Sequence, residues 1–356
     1  MVSGREPSSM KIATIFGSGT SHQQESWRDF STSRGIPAVH CDPRWLPVFQ
    51  RGLKHDVYMV EARNELDQVI GILPLAFVKS VLFGKFLVSL PYLNWAGVLA
   101  DDPNTVNSLV TRAIELAREL DVRHLELRSE DPVELPELVK PGVQKSQLRL
   151  PISGGEEEIW KQLRSVVRTQ VRKGEKNKLS IEFGRHDLIK AFYKVFSRNM
   201  RDLGTPVYPR LFFEEIIEGF PEAEFCVVRK DATPVASALA IHFSALTEIP
   251  SASCLKEYRS TAANSWMYWK LIQRATEHGT PVFDFGRSTI GGSTYKFKVK
   301  WGATPTHAAW QYFSPSEKMQ ELRPENPKYQ LAIRMWRKLP LCVANSFGPS
   351  IVRGIP

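Results

Sequence analysis

Residues 284–302 read DFGRSTIGGSTYKFKVKWG, a strand end running through a glycine-rich turn into an alternation of cationic and apolar side chains. Asp284 falls near the end of PVFDFG (281–286), whose aliphatic and aromatic residues favour a strand. Arg287 then precedes a turn containing Gly291 and Gly292, and residues without a Cβ let backbone approach a ligand closely. Beyond the turn, Lys296, Lys298 and Lys300 alternate with Phe297, Val299 and Trp301. Taken alone, that alternation predicts one solvated and one buried face, because charge runs are usually solvated.

Working outward, NSWMYWKLIQRATEHG (264–279) has helical spacing, and AEFCVVRKDATPVASALAIHF (223–243) predicts a hairpin turning at Lys230 and Asp231, followed by a third strand. Farther upstream lie a strand over LSIEFG (179–184) and amphipathic helices over 187–204 and 210–220. EEEIWKQLRSVVRTQVRKGEKNK (156–178) reads as one helical stretch whose acidic start and basic end suit the helix dipole. The first half predicts a strand at 11–16, part of a helix over 26–35, a helical pattern over 42–54 despite Pro47, and a hairpin over 57–80. A helix over 102–121 with an Asp opening and a strand over 124–129 follow; that helix should bury Val106, Leu109, Val110, Ala113, Ile114 and Ala117. Two α/β units of comparable order result, with expected divisions of a disordered lead at 1–10, a first domain over 11–150, a second over 151–313 and a helical tail over 314–356.

With 356 residues, 42% of them hydrophobic, the chain is long enough for two real cores. The four cysteines, Cys41, Cys226, Cys254 and Cys342, form no CxxC pair and have no nearby His at ligand spacing. No metal is therefore expected, nor a disulfide framework. A net charge of +9 favours anionic partners such as phosphates, RNA or a lipid headgroup surface, without naming one. The start, MVSGREPSSMKIATIF, lacks the basic and apolar regions of a signal peptide, and no apolar run approaches about eighteen residues, so a cytoplasmic protein is expected.

The 284–302 stretch resembles the closing signature of FemAB-like proteins of the GNAT superfamily: D-F-G, a Gly-rich turn, then F-K-x-x-[FW]-G. It is met here by Asp284, Phe285, Gly286, Phe297, Lys298, Trp301 and Gly302. ILPLAFVKSVLFGKFLVSLPY (72–92), RSVVRTQVRKGEKNKL (164–179) and FSRNMRDLGTPVYPRLFF (196–213) are similar to a subgroup that accompanies exosortase (PEP-CTERM) and exopolysaccharide systems. The resemblance covers roughly residues 40–313. It implies an α/β (α+β) fold of two tandem GNAT domains, each a mixed sheet flanked by helices, the second like a BioF2-type acetyltransferase domain. It also implies an acyltransferase that moves an acyl or aminoacyl group onto an amine of a cell-envelope or exopolysaccharide precursor. The donor would be an acyl-CoA or an aminoacyl-tRNA, with no tightly bound cofactor and no DNA partner. The long coiled-coil arm of tRNA-using members is missing, as is the R/Q-x-x-G-x-G/A loop of acyl-CoA-dependent GNAT enzymes. A rival reading is a non-catalytic module that holds an anionic glycan or a lipid-linked precursor.

Carried over residue by residue, the resemblance gives Lys298 the role of stabilising an oxyanion or a donor phosphate. Asp284 would act as base or orienter unless it merely caps a turn, and Arg287 would contact a phosphate or carboxylate; Tyr295 lies inside the same signature. KEYRSTAANSWMYW (256–269) runs a basic loop into a helix N-terminus, a suitable place for donor phosphates, with Lys256, Arg259, Ser260 and Asn264 as contacts. Asn264 reads equally well as a plain N-cap. Arg164, Arg168 and Arg172 share one helical face, and either grip an anionic substrate or face water. In the subgroup, Asn199, Arg201, Asp202, Thr205 and Tyr208 lie toward the acceptor. The tail from 327 begins as a basic amphipathic helix, expected to dock on the body, with peripheral attachment to an anionic bilayer at the inner membrane face as the other option.

Overall fold

The structure, a computed structural model, describes residues 10–140, 145–306, 308–316 and 327–355. The lead expected over 1–10 lies outside these residues apart from Met10. The chain divides into two compact units, residues 1–142 with 308–319 and 353–356, and residues 143–307 with 320–352.

The first unit is built on β1 (Lys11–Phe16), β2 (Asp56–Arg63), β3 (Val69–Ser80), β4 (Gly84–Val88), β5 (Leu99–Ala100) and β6 (His124–Ser129). β1 through β4 form an antiparallel meander, and β4 then pairs in parallel with β6. A parallel pair needs a crossover, here supplied by α3 (Pro103–Glu119). The Asp102 carboxylate caps that helix, accepting the backbone N–H groups of Asn104 and Thr105. Leu109, Val110, Ala113, Ile114 and Ala117 are buried as expected, packing with Val60, Leu73, Leu125 and Leu127, while Val106 is only partly covered. Truncating Leu109 to Ala would cost about 3 kcal/mol for the lost transfer and the cavity.

Two helices of this unit differ from expectation. α1 runs over Ser21–Thr32, earlier than 26–35, because Thr20 and Gln23 form a reciprocal capping box at its start. The segment expected to be one helix over 42–54 is a single turn, α2 (Trp45–Pro47), running into a π-helical turn over Val48–Gly52.

The second unit holds β7 (Lys145–Pro151), β8 (Leu179–Gly184), β9 (Ala223–Lys230), β10 (Thr233–His242), β11 (Thr247–Cys254), β12 (Val282–Thr289) and β13 (Thr304–Thr306), in the order β13-β7-β12-β11-β10-β9-β8. It repeats the first unit's plan of four antiparallel strands and then one parallel neighbour, β12, reached through α8 (Ala263–Glu277). The helical stretch expected over 156–178 is two helices, α4 (Gly155–Gln162) and α5 (Ser165–Lys176), because Leu163 and Arg164 turn extended between them. α6 (Ile189–Leu203) and α7 (Arg210–Gly219) cluster Phe192, Phe196 and Phe213, and Phe192 stacks on Phe225. α9 (Ser293–Lys300) follows β12.

The expected linear division fails at the last strand of each sheet. β7 follows the first unit's strands in sequence but pairs with β12, whereas β14 (Ala309–Phe313) comes after the second unit's strands and pairs with β6. The boundaries drawn at 150 and 313 therefore shift to 142 and 307, since ladder pairing rather than sequence proximity decides which sheet owns an edge strand. In the tail, α10 (Pro327–Trp336) and α11 (Leu341–Val352) dock on the second unit, as expected. A Cβ on Gly348 would meet the Val207 backbone at 2.9 Å.

Candidate active site

β11 and β12 pair only through Thr247 with Phe283 and Glu248 with Asp284; beyond that point no ladder joins them. On its other edge, β12 shifts register against β7 between Asp284 and Arg287, and Gly286 sits there at φ 75°, a conformation that strains any side chain larger than hydrogen. The bulge presents two carbonyls to one cation. Lys298 Nζ donates to the Gly286 and Arg287 oxygens, both at 3.0 Å.

Lys298 is 5% exposed, and burial pulls its pKa down to about 8, with Asp284 and Glu248 raising it and Arg287 lowering it. An ammonium carries three donors, so one N–H is left without a protein partner among the described residues. The alternation of Lys296, Lys298 and Lys300 had suggested one solvated face. In helix α9 the three residues point differently, with Lys298 buried while Lys296 and Lys300 are exposed.

Asp284 does not end its strand but lies inside β12, fully buried. Its carboxylate accepts Arg149 Nε at 3.0 Å and the Gly286 backbone N–H at 2.6 Å, so it holds the bulge in shape. Burial, then the Glu248 charge, lift its pKa to about 6 against the pull of Arg149. Three cations and two carboxylates thus meet where the parallel strands part. Arg287 is half-buried and close enough to depress Lys298, and Tyr295 is half-buried against the core.

The other expected residues fall in separate places. Lys256, Arg259 and Ser260 are exposed on the 3-10 turn Lys256–Thr261 that leads into α8. Asn264 is not the N-cap. That position belongs to Ala262 at φ 60°, which offers no side-chain cap, and the Asn264 backbone N–H faces the Cys254 thiol. The arginine stripe does not act as one surface: Arg168 donates to the Trp160 and Lys161 carbonyls at the end of α4, Arg172 lies 5.6 Å over the Trp160 ring, and Arg164 is exposed without a side-chain partner among the described residues. Arg201 is committed to Asp202 and to the Leu339 carbonyl, and Tyr208 stacks on Phe196. Thr205 is exposed, and Asn199 donates to Ser253 on β11 at 3.1 Å.

Arg149, Glu248 and Gln147 escaped the sequence reading. Gln147, opposite Arg287 across the β7–β12 ladder, is fully buried, and neither amide atom has a partner among the described residues. The strands of these residues, KSQLRLP and TEIPSASC, mix polar and apolar residues throughout, so no local pattern marks these three.

A second polar group joins Glu224, His242 and His278, whose donor atoms lie within 4.8 Å of one another. It does not form a good metal cage, because the two imidazoles stack at 3.9 Å and 6°, leaving their lone pairs parallel rather than convergent, and Arg274 already clamps the Glu224 carboxylate at 2.8 and 3.1 Å.

Two mixed sheets, each a run of antiparallel strands joined to one parallel neighbour through a crossover helix, define a tandem GNAT fold, and residues 161–298 match the acetyltransferase (GNAT) domain family. Among solved structures the chain is similar to FemX, with 13% identity, a TM-score of 0.65, 90% of this chain covered and 100% of that one. It is similar to a tandem GNAT protein from the clavulanic acid biosynthesis pathway at 11% identity and TM-score 0.58, covering 87% of this chain and 100% of the other. L-PGS from Bacillus licheniformis shares 11% identity at TM-score 0.53, with 90% and 98% covered. No curated protein matches the sequence.

Proposed function

We propose that the protein is an N-acyl or N-aminoacyl transferase that modifies an amine on a cell-envelope or exopolysaccharide precursor, with Lys298 at the reacting centre. One observation carries this reading: a buried ammonium, two of its donors spent on the β12 bulge and the third unspent, stands where β11 and β12 part. A neutral amine attacks the donor's carbonyl carbon, forming the C–N bond while the carbonyl π pair moves to oxygen. Collapse expels the thiolate of an acyl-CoA or the ribose oxygen of an aminoacyl-tRNA, which takes up the proton lost by the amine. The free Lys298 N–H is suited to the oxyanion, and a fixed donor of that kind is worth about 3 kcal/mol in the transition state. Asp284 and Arg149 act through the bulge they hold.

The first turn of α8, which lacks a side-chain cap and has Lys256, Arg259 and Ser260 leading into it, is the proposed seat of donor phosphates. Arg164 and Thr205, exposed and uncommitted, remain candidates for the acceptor, whereas Arg168, Arg172 and Arg201 act first as structural groups.

A thermal-shift screen over acyl-CoAs, aminoacyl-tRNA mimics and nucleotide sugars tests the reading, since a ligand that binds only the folded state raises its melting point. A donor that stabilises the protein and is consumed with an amine acceptor supports transfer. Stabilisation by a nucleotide sugar with no turnover of any donor would favour a GNAT-fold binding module instead.

A further inference from the structure

Helix α10 docks with the wrong side of an amphipathic helix facing out. Its inner contact is Ile333, since a Cβ on Gly204 would meet Ile333 Cγ2 at 2.6 Å, and in the turn just after the helix Arg337 Nη2 donates to the Leu203 carbonyl at 3.1 Å. At 100° per residue, the opposite face carries Leu331 and Met335, with Arg334 at its side and Lys338 in the turn that follows the helix. Leu331 is 64% and Met335 63% exposed, although a helix covering a core would turn such residues inward. Arg334 and Lys338 flank them, both exposed. Residues 327–356 contain five Lys or Arg and not one Asp or Glu, in a chain whose net charge is +9.

We propose that this outward face of α10 docks on an anionic lipid bilayer, Leu331 and Met335 entering the headgroup boundary while Arg334 and Lys338 meet the lipid phosphates. Apolar burial and attraction to anionic lipid act together in such contacts. No described helix is long and apolar enough to cross a membrane, so the contact is peripheral. The face shares no residue with the β11–β12 wedge, and the inference stands or falls independently of the proposed chemistry.

Flotation of the full chain with vesicles of phosphatidylcholine, alone or carrying about one third phosphatidylglycerol, tests it. Binding is expected to the phosphatidylglycerol vesicles alone and to weaken with added salt. Replacing both basic residues (Arg334→Gln, Lys338→Gln) should reduce partitioning by roughly fivefold per residue, and Leu331→Ser with Met335→Ser by about tenfold or more. The wild-type melting temperature should persist in both variants, since all four side chains lie on the surface. Failure of the wild type to float with phosphatidylglycerol vesicles overturns the proposal, as does partitioning that neither pair of substitutions changes. A light-scattering mass showing a dimer that Leu331→Ser and Met335→Ser dissolve, without vesicle binding, would overturn it in favour of a second copy covering the face.

Discussion

The Lys298 ammonium lies 3.0 Å from the Gly286 carbonyl oxygen, which ties helix α9 to the bulge in β12 and fixes a buried cation beside Asp284. Lys298→Met keeps the length of the side chain and removes its donors. Transfer should fall about 100-fold or more, the usual cost of losing one oxyanion donor. In the wild type, activity that needs the ammonium should fall as pH rises through about 8, to which burial pulls its pKa. The stability change has the opposite sense. A lysine whose folded pKa is lowered penalises the fold while both states are charged, and that penalty is relieved between about 8 and 10.5. Near-wild-type transfer by Lys298→Met, or a flat rate profile above pH 9, would end the catalytic assignment.

Asp284 and Arg149 form a pair that should be expensive to break from one side. Asp284→Ala removes the buried acceptor of the Arg149 Nε and the Gly286 N–H, and should lower unfolding free energy by about 3 kcal/mol in denaturant titrations. Asp284→Asn, which still offers an oxygen to Gly286, should lose less. Equal losses in the two variants would show that the bulge does not depend on this acceptor.

Gly174 lies inside α5, where alanine ordinarily favours a helix by about 1 kcal/mol. A Cβ there would collide with Trp266 Cβ on α8, so Gly174→Ala should destabilise by about 1–3 kcal/mol. A rise in melting temperature would mean that the two helices part without cost.

Glu224 predicts an acid-sensitive fold. Burial pushes its carboxyl up, but hydrogen bonds from His242 and Arg274 outweigh that and hold it at about 2. Its folded pKa thus lies below the ordinary value of 4.5, so the contribution is present above 4.5 and is lost as pH falls toward 2. Unfolding curves for Glu224→Gln and wild type should converge across that interval; a constant gap would assign the difference to packing.

Much of the architecture was legible because periodicity is local. The β9–β10 hairpin turns at Asp231 and Ala232, within one residue of the expected Lys230 and Asp231, and α3 buries all but Val106 of the stripe that its spacing marks out. The break at Leu163 and Arg164 was hidden because the residues on both sides are good helix formers with a continuous charge gradient. The site was legible only in part. Lys298, Asp284 and Arg287 were named, but their partners Arg149 and Glu248 sit on strands remote in sequence, and no local pattern marks a charge that will be paired across a ladder.

The sequence by itself determined the elements, since side-chain spacing and capping act within a few residues: a repeated strand–helix order, a basic chain, and a D-F-G…F-K signature in one short segment. Only tertiary structure decided that β7 completes the second sheet and β14 the first, that β12 bulges so that two carbonyls reach one ammonium, and that α10 turns Leu331 and Met335 to the outside. Those outcomes depend on backbone donors and acceptors finding partners more than a hundred residues away, a choice among near-equal pairings that the whole packed chain makes at once.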